Sequence, residues 1–181
     1  IFIGGGTPTL LESRHIEKII HQLNDNFNMN HLNEFTVEAN PGEFNLEKMK
    51  SFKKLGVNRV SFGFQSLHDD ILKFLTRWHN SEDCINSYYN AREAGFQNIN
   101  IDLIFGIPNQ SIKQWKKDLN RIVDLDPEHI SAYSLTVEQR TPLHEYVSSN
   151  KIIMPHEKID FDMYSYAMDK LNSYNYRQYE I

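Results

Sequence analysis

Five short apolar segments recur along the chain, and each is followed by turn residues and then by a segment with helical spacing. The segments are IFI, EFTVEAN, NRVSFGFQS, NINIDLIFGIP and HISAYSLTVE. Strands that alternate with helices predict βα units and a parallel sheet. Right-handed crossovers then allow an open doubly wound sheet or a barrel, and both bind ligands at the carboxyl ends of their strands. Repetition without a reversal signal favours an α/β fold that forms part of a (β/α) barrel.

Apolar residues at helical spacing predict the helices between these strands. The first helix has one apolar face, formed by Ile16, Ile19, Ile20, Leu23 and Phe27. We predict Ser13 as its N-cap and Asn45 as the N-cap of the second helix. A third helix spans about 81–94, and Ser111 with Gln114 forms a capping box that begins the fourth.

Composition excludes several classes of protein. The chain has 181 residues, of which 40% are hydrophobic, which is enough for the core of one domain. A net charge of −5 with interspersed signs argues against a nucleic-acid-binding protein. No apolar run has the length of a membrane span and no signal peptide is evident, so we predict a cytoplasmic protein. The single cysteine, Cys84, excludes an internal disulfide and a metal site of several thiolates.

Both ends of the sequence indicate a piece of a longer protein. Residue 1 is Ile rather than Met and already lies in a predicted strand. The last residues, YNYRQYEI, carry alternating aromatic side chains that predict the start of a further strand. We therefore expect residues 1–181 to be a single fragment of a core domain.

Polar groups interrupt the predicted strands, although parallel strands covered on both faces are nearly continuous apolar runs. The interruptions are residues 4–7, Glu38, Gln65, Asp102, Thr136 and Glu138. If the strands are parallel neighbours, these groups converge around one mouth of the sheet. Asp102 is the most informative, because the isoleucine and leucine residues around it predict burial, and a buried carboxylate needs a partner. Arg77 is one candidate for that partner, and the alternative is a surface arginine that covers Trp78.

Each feature also has an interpretation without a ligand. A triple glycine more often marks a tight turn or a close backbone approach than a binding site. The GGGTPT segment lacks the Gly-Lys-Ser/Thr of a P-loop and the spaced glycines of a dinucleotide site. Glu38 could instead be an N-cap or the solvated end of a strand. The eight histidines show no pattern that indicates a metal site, and no Ser-His-Asp or Cys-His arrangement is evident.

Six motifs, taken in order, resemble the core of a known family. They are GGGTPTLL, VEANPGE, LGVNRVSFGFQS, LTRWHN, AREAGFQNINIDLIFGIPNQ and PEHISAYSLTVE. This series resembles the radical S-adenosylmethionine (SAM) proteins related to oxygen-independent coproporphyrinogen III dehydrogenase, and SAYSLTVE resembles the HemW branch. The resemblance covers essentially the whole chain. It implies a partial (β/α) barrel with SAM lying across the strand ends.

The resemblance also implies which residues contact SAM. The matching positions are Gly5, Gly6, Thr7, Glu38, Gln65, Arg77, Asp102 and Thr136. The glycines would let backbone groups approach the methionyl end of the cofactor, where a side chain would block it. Glu38 and Gln65 would form hydrogen bonds such as those to ribose hydroxyls. Arg77 would pair with a carboxylate, for which the guanidinium group is well suited.

One departure from the family concerns the metal. The C-x-x-x-C-x-x-C motif, whose thiolates hold a [4Fe-4S] cluster, is absent and would lie upstream of residue 1. The region in which HemW-like proteins are expected to bind haem would lie downstream of the last residue. Cys84 alone cannot hold a cluster. We therefore expect no metal ligand and no catalytic residue within these 181 residues, and we expect no 5′-deoxyadenosine from the chain as given.

Three functions are compatible with the residues. The first is a HemW-like haem chaperone that binds a cluster, SAM and haem, and passes haem to an acceptor protein. The second is oxidative decarboxylation of two propionates of coproporphyrinogen III by a 5′-deoxyadenosyl radical, which requires a reductant. The third is an unrelated barrel enzyme whose glycine turn binds phosphate. It predicts a lysine or a helix N-terminus after the glycines, and Pro8, Thr9 and Leu10 offer little of either.

Overall fold

A computed structural model describes residues 1–180, which form five parallel strands that alternate with helices. The strands are β1 (Phe2–Ile3), β2 (Thr36–Ala39), β3 (Arg59–Gln65), β4 (Asn98–Phe105) and β5 (His129–Ser134). The helices are α1 (Ser13–Asn26), α2 (Leu46–Lys54), α3 (Asp69–Phe74), α4 (Ser81–Glu93), α5 (Ile112–Leu125), α6 (Pro142–Ser148) and α7 (Glu157–Ser173), with a 3₁₀ turn at Pro8–Leu10. Within the described residues, no helix has both the length and the apolar character of a membrane span.

The strands lie in the sheet in the same order as in the chain, β1-β2-β3-β4-β5, and every neighbouring pair is parallel. A doubly wound sheet reverses its direction of growth, whereas each crossover here adds the next strand on the same side. Right-handed crossovers that all run in one direction place the connecting helices on one face of the sheet. The predicted α/β fold with part of a (β/α) barrel is therefore confirmed.

The two faces of the sheet differ in polarity because side chains alternate along each strand. One face is apolar and fully buried, and neighbouring strands align Val37 with Val60 and Val60 with Ile99. Helices α1, α2, α4, α5 and α7 contribute residues to the same core. The other face is polar, and one row across it runs through Glu38, Ser61, Asn100 and His129. The polar face lines the inside of the partial barrel.

Helix capping agrees with the sequence in two places and differs in two. The Asn45 side chain accepts from the Lys48 N–H at 3.0 Å, and Ser111 and Gln114 form the predicted capping box. Ser13 is the first residue of α1 rather than its N-cap, and Glu12 at the N-cap position makes no capping hydrogen bond. Asn80 and Asp83 form a second capping box, at the start of α4, which was not predicted.

Other differences concern exposure and extent. Only Ile16 of the apolar face of α1 is buried, and Phe27 is 64% exposed. β5 ends at Ser134, so Thr136 and Glu138 lie beyond the strand in which they were expected. Helices α6 and α7 were not predicted. Residues 174–180 contain no strand, so the predicted strand at the carboxyl end is wrong over the described residues.

The chain leaves β3 through a strained turn. Gln65 has φ +66°, in the left-handed region, and the pairing of β3 with β4 shifts register between Gly63 and Gln65. The Ser66 N–H donates to the Phe64 carbonyl at 2.8 Å, which closes a three-residue turn around Gln65. A glutamine in this conformation costs of order 1 kcal/mol or more, so surrounding contacts must hold it.

Asp118 on α5 provides those contacts. Its carboxylate is 1% exposed and accepts hydrogen bonds from the Ser66 hydroxyl at 2.7 Å and the Leu67 N–H at 3.0 Å. His68 Nε2 lies 3.6 Å from the same carboxylate. Burial raises the pKa of Asp118, and the bond from Ser66 and the charge of His68 oppose that shift. A helix on the outer face thus anchors the turn that follows β3.

We predict that Asp118→Leu lowers the free energy of unfolding by roughly 2 to 5 kcal/mol, because it leaves the buried Ser66 hydroxyl and the part-buried Leu67 N–H without an acceptor. Asp118→Asn keeps an acceptor for Leu67 and should cost less. Urea unfolding measures both, and Asp124→Leu, at an exposed position of α5, is the control, expected to stay within about 0.5 kcal/mol. Equal losses for the leucine and asparagine variants of Asp118 would contradict the anchoring role.

The same carboxyl group predicts a pH dependence. Its pKa is above the ordinary value of 3.8 in the folded protein. When the pKa of an acid is higher in the folded than in the unfolded protein, the free energy of unfolding falls as the pH rises from the unfolded-state pKa to the folded-state pKa. Wild type should therefore lose stability relative to Asp118→Asn as the pH rises from 3.8 towards neutrality. Unfolding curves at several pH values, repeated in a His68→Gln background to remove the neighbouring imidazole, measure the difference.

Candidate ligand-binding site

A cavity of about 180 Å³ opens at the carboxyl ends of β2, β3 and β4. Its lining residues come from the turn after β1 and from the polar face of the sheet. They are Gly6, Thr7, Glu38, Ala39, Asn40, Ser61, Gly63, Gln65, Arg77 and Asp102. Six of the eight residues that the sequence singled out therefore lie around one cavity. Their convergence follows from parallel strands whose carboxyl ends meet at one edge.

The glycine turn after β1 has two separate requirements. Gly5 and Gly6 have φ +82° and +64°, and a Cβ at either position would meet nothing within 4 Å. These two residues are glycines because of their backbone conformation. Gly4 is a glycine because of space, since its Cβ would lie 2.7 Å from the Glu38 carboxyl group. The Gly5 N–H then donates to Glu38 Oε2 at 2.9 Å and ties the turn to β2.

Asn40, at the end of β2, holds the next part of the same turn. Its Nδ2 donates to Thr7 Oγ1 at 3.0 Å and to Glu43 Oε2 at 3.0 Å. Asn40 lies two residues after Glu38, and residues with this spacing lie on the same face of a sheet. Four lining residues were not predicted from the sequence: Ala39, Asn40, Ser61 and Gly63. The period of two along a strand, counted from Glu38 and Gln65, would have indicated the last three.

Arg77 reaches the cavity from the segment after α3. Its guanidinium lies against β3, where a Cβ on Gly63 would be 3.0 Å from Nη2. Burial lowers the pKa of Arg77, and the charge of Asp102 opposes that shift. Within the described part of the chain, however, no carboxylate oxygen comes within 4.0 Å of the guanidinium, so the alternative in which Arg77 pairs directly with Asp102 is not observed. The cation is partly desolvated, and no described residue makes an ionic contact with it.

Asp102 finds its hydrogen bonds on the polar face instead. Asn100 Nδ2 donates to Oδ1 at 2.7 Å, and the Ser61 hydroxyl donates to Oδ2 at 3.3 Å. The partner that the sequence required for this carboxylate therefore consists of neutral groups on β3 and β4. Both oxygens of Asp102 are held while the carboxylate still lines the cavity.

Two predicted site residues lie outside the lining. Gly5 contributes through its bond to Glu38 rather than by facing the cavity. Thr136 is exposed, beyond the end of β5, and is not brought to the cavity. A direct contact between Thr136 and a cofactor stays a prediction.

The described residues contain no group of three or more His, Cys, Asp or Glu side chains that could hold a metal ion. Cys84 is fully buried on α4, and burial raises the pKa of its thiol well above the ordinary value. A [4Fe-4S] cluster requires several thiolates. The side chains present here therefore do not fit such a cluster, whereas the cavity is built from hydrogen-bonding and charged groups that fit an organic ligand.

A second cavity, of about 350 Å³, lies beside the carboxyl ends of β4 and β5. Its walls include Gly106, Ser134, Asp160, Phe161 and Tyr164, so α7 forms one side. The Ser134 hydroxyl donates to Asp160 Oδ1 at 2.8 Å, directly over Gly106. A side chain at position 106 would displace the Asp160 carboxylate. A glycine at this position therefore leaves room for the hydrogen bond between Ser134 and Asp160.

The chain is similar in sequence to a known protein family and to individual members of that family. The sequence pattern of the Radical SAM superfamily matches residues 1–122. The chain is 41% identical over its full length to the heme chaperone HemW of Bacillus subtilis (strain 168), and 35% identical to that of Lactococcus lactis subsp. lactis (strain IL1403). It covers 48% of each of these proteins, and thus spans about half the length of the curated relatives it matches.

The fold is also similar to that of coproporphyrinogen III oxidase (HemN) from Escherichia coli, described as a radical SAM enzyme. The TM-score is 0.83 and the identity 28%, and the likeness covers 97% of this chain and 40% of that one. Together with the sequence matches, this confirms the resemblance drawn from the six motifs.

We predict that Gly63→Ala leaves the fold intact but displaces Arg77 and Gln65, because the new Cβ would lie 3.0 Å from Arg77 Nη2 and 2.9 Å from Gln65 Nε2. Both are ends of flexible side chains, so the free energy of unfolding should change by less than about 1.5 kcal/mol. A crystal structure of the variant, with urea unfolding, measures both effects.

Gly56→Ala is the matched control for this variant. Gly56 has φ +98° and nothing within 4 Å of its Cβ, so alanine there costs about 1 kcal/mol through backbone strain and leaves the cavity unchanged. An unmoved Arg77 in Gly63→Ala would show that the close approach to Gly63 does not place the guanidinium.

Proposed function

Because the chain belongs to the radical SAM superfamily, we propose that the cavity at the carboxyl ends of β2, β3 and β4 binds SAM. The observation that carries this proposal is Arg77, a partly desolvated cation that has no ionic contact among residues 1–180, in a cavity that is also lined by Glu38 and Asp102. Such a site suits a ligand that carries a carboxylate together with hydrogen-bond donors. SAM has a carboxylate, an ammonium group and two ribose hydroxyls.

The chemistry of each group supports a role. The Arg77 guanidinium would bind the ligand's carboxylate in a bidentate manner. The carboxylates of Glu38 and Asp102 accept hydrogen bonds from hydroxyl or ammonium groups. The cavity of about 180 Å³ is smaller than the roughly 300–1,000 Å³ of most small-molecule sites. It would therefore hold one part of SAM, while the remainder lies across the open strand ends.

The described residues do not supply the ligands of a [4Fe-4S] cluster. In the superfamily, a [4Fe-4S] cluster supplies the electron for cleavage of SAM. The single thiol here is buried and unsuited to ligation. We propose that cluster ligands of the complete protein come from residues other than these, and that the residues described here bind and orient SAM.

For the complete protein we propose a HemW-like haem chaperone that acts in the cytoplasm and passes haem to an acceptor protein. The support is the identity of 41% and 35% to the two HemW proteins over the whole chain. The likeness to coproporphyrinogen III oxidase, at 28% identity, favours a related reaction as the second candidate. A phosphate-binding enzyme receives no support, because a 3₁₀ turn at Pro8–Leu10 follows the glycines instead of a lysine or a long helix.

One experiment separates the two candidates. The complete protein is purified without oxygen, its cluster is reconstituted, and it is assayed for haem binding and for conversion of coproporphyrinogen III in the presence of SAM and a reductant. We expect haem to bind and no protoporphyrinogen to form. Formation of protoporphyrinogen by a protein with an intact cluster would overturn the chaperone proposal in favour of the oxidative decarboxylation.

We predict that Arg77→Gln weakens SAM binding to the complete protein by about 10- to 100-fold, because it removes a charge-assisted bond worth roughly 1.5–3 kcal/mol. Isothermal titration with SAM measures the dissociation constant. Arg121→Gln, an exposed arginine on α5, is the matched control and should bind as wild type does. If Arg77→Gln and Arg121→Gln bind equally well, Arg77 does not hold the carboxylate.

A further inference from the structure

Asn100 on β4 is a buried amide whose hydrogen-bonding capacity is fully used. It is 2% exposed. Its Nδ2 donates to Ser61 Oγ and to Asp102 Oδ1, each at 2.7 Å. Its Oδ1 accepts from Ser131 Oγ at 3.1 Å and pairs with His129 Nδ1. An amide has two donor hydrogens and two acceptor lone pairs, so all four positions are occupied.

These partners fix the orientation of the amide. Because Asn100 Oδ1 only accepts, His129 Nδ1 must carry a proton. Nε2 then accepts from the Tyr179 hydroxyl at 2.7 Å. Burial, with a smaller contribution from the charge of Arg59, lowers the pKa of His129, which favours this neutral ring. A reversed amide would present its oxygen to the Asp102 carboxylate, and two acceptors in contact repel each other.

The same network bears on Arg77. Asp102 attracts the guanidinium, yet no oxygen of Asp102 lies within 4.0 Å of it within the described chain. Asp102 Oδ1 is held by Asn100 and Oδ2 by Ser61, both on the polar face of the sheet. A carboxylate free of these bonds would move towards the partly buried cation, since opposite charges attract strongly where solvent is scarce.

We propose that Asn100 and His129 are positioning residues that keep Asp102 apart from Arg77, so that both charges stay available to the ligand. The proposal rests on the binding of SAM by this cavity. His129 orients the amide of Asn100, and the amide holds the carboxylate of Asp102. Loss of either would let an internal Asp102–Arg77 ion pair form, and that pair would compete with the carboxylate of SAM for the guanidinium.

The test is a double-mutant cycle in the complete protein, with the dissociation constant for SAM measured by isothermal titration. We expect Asn100→Leu to weaken binding by about 10-fold or more. The reason is that the carboxylate of SAM would lose one or two charge-assisted hydrogen bonds to Arg77 when Asp102 occupies the guanidinium. In an Asp102→Asn background the same substitution should weaken binding by less than about 3-fold, because no Asp102–Arg77 pair can then form. A purely structural role for Asn100 predicts equal losses in both backgrounds, and equal losses would overturn the proposal.

His129 is tested by matched variants. His129→Gln retains an N–H donor for Asn100 Oδ1 and should bind SAM within about 3-fold of wild type, whereas His129→Leu should bind about 10-fold more weakly. Equal affinities for the two variants would remove His129 from the proposal. His129 is only part-buried, so its variants also test the positioning role if Asn100→Leu fails to fold.

A crystal structure of Asn100→Leu, or of His129→Leu, separates this inference from the proposed function. We expect an oxygen of Asp102 within 4 Å of the Arg77 guanidinium, a readout that requires no SAM. If wild type does not bind SAM but the ion pair forms, the proposed function fails and the positioning role stands. If wild type binds SAM and the ion pair does not form in the variant, the positioning role fails.

Discussion

The alternation of polar and apolar side chains along β2, β3 and β4 is the constraint on which the rest of the structure depends. The strands follow one another in chain order, and helices α1, α2, α4, α5 and α7 contribute to one core against the sheet. Only the apolar face then enters the helix-covered core. The polar residues of the other face are consequently collected inside the partial barrel, where their hydrogen bonds must be supplied by one another.

That requirement turns the polar face into a set of fixed positions. Asn100 joins groups from β3, β4 and β5, and each of its bonds restricts the direction of the others. At the carboxyl end, Glu38 is held by the glycine turn and Thr7 by Asn40. Gln65 adopts a left-handed conformation that Asp118 secures from the outer face. The cavity is thus lined by side chains with settled orientations before any ligand arrives, which reduces the ordering that binding requires.

The sequence predicts the parts of this arrangement that depend on local pattern. The pattern of recurrent apolar segments located all five strands, and the polar residues that interrupt it predicted the convergence of Glu38, Gln65 and Asp102. It could not assign partners, because the pairing of Asp102 with Asn100 and Ser61 instead of Arg77 depends on distances between strands. Helix α7 was not predicted. Its apolar residues do not form a single buried face, since Phe161 is 66% exposed while Met163 and Ala167 are buried. Thr136 was placed in a strand that ends two residues earlier, where the chain leaves the sheet.

The glycines around the cavity show why residue type alone is an incomplete guide to a site. Gly5 and Gly6 adopt conformations that other residues tolerate poorly, while Gly4 and Gly63 occupy positions where a Cβ would strike Glu38 or Arg77. The first pair shapes the turn, and the second pair makes room for charged side chains. A triple glycine read only as a surface for a ligand's backbone contacts misses this second role. In this fold, glycine on the polar face is what allows a cation and two carboxylates to line one small cavity.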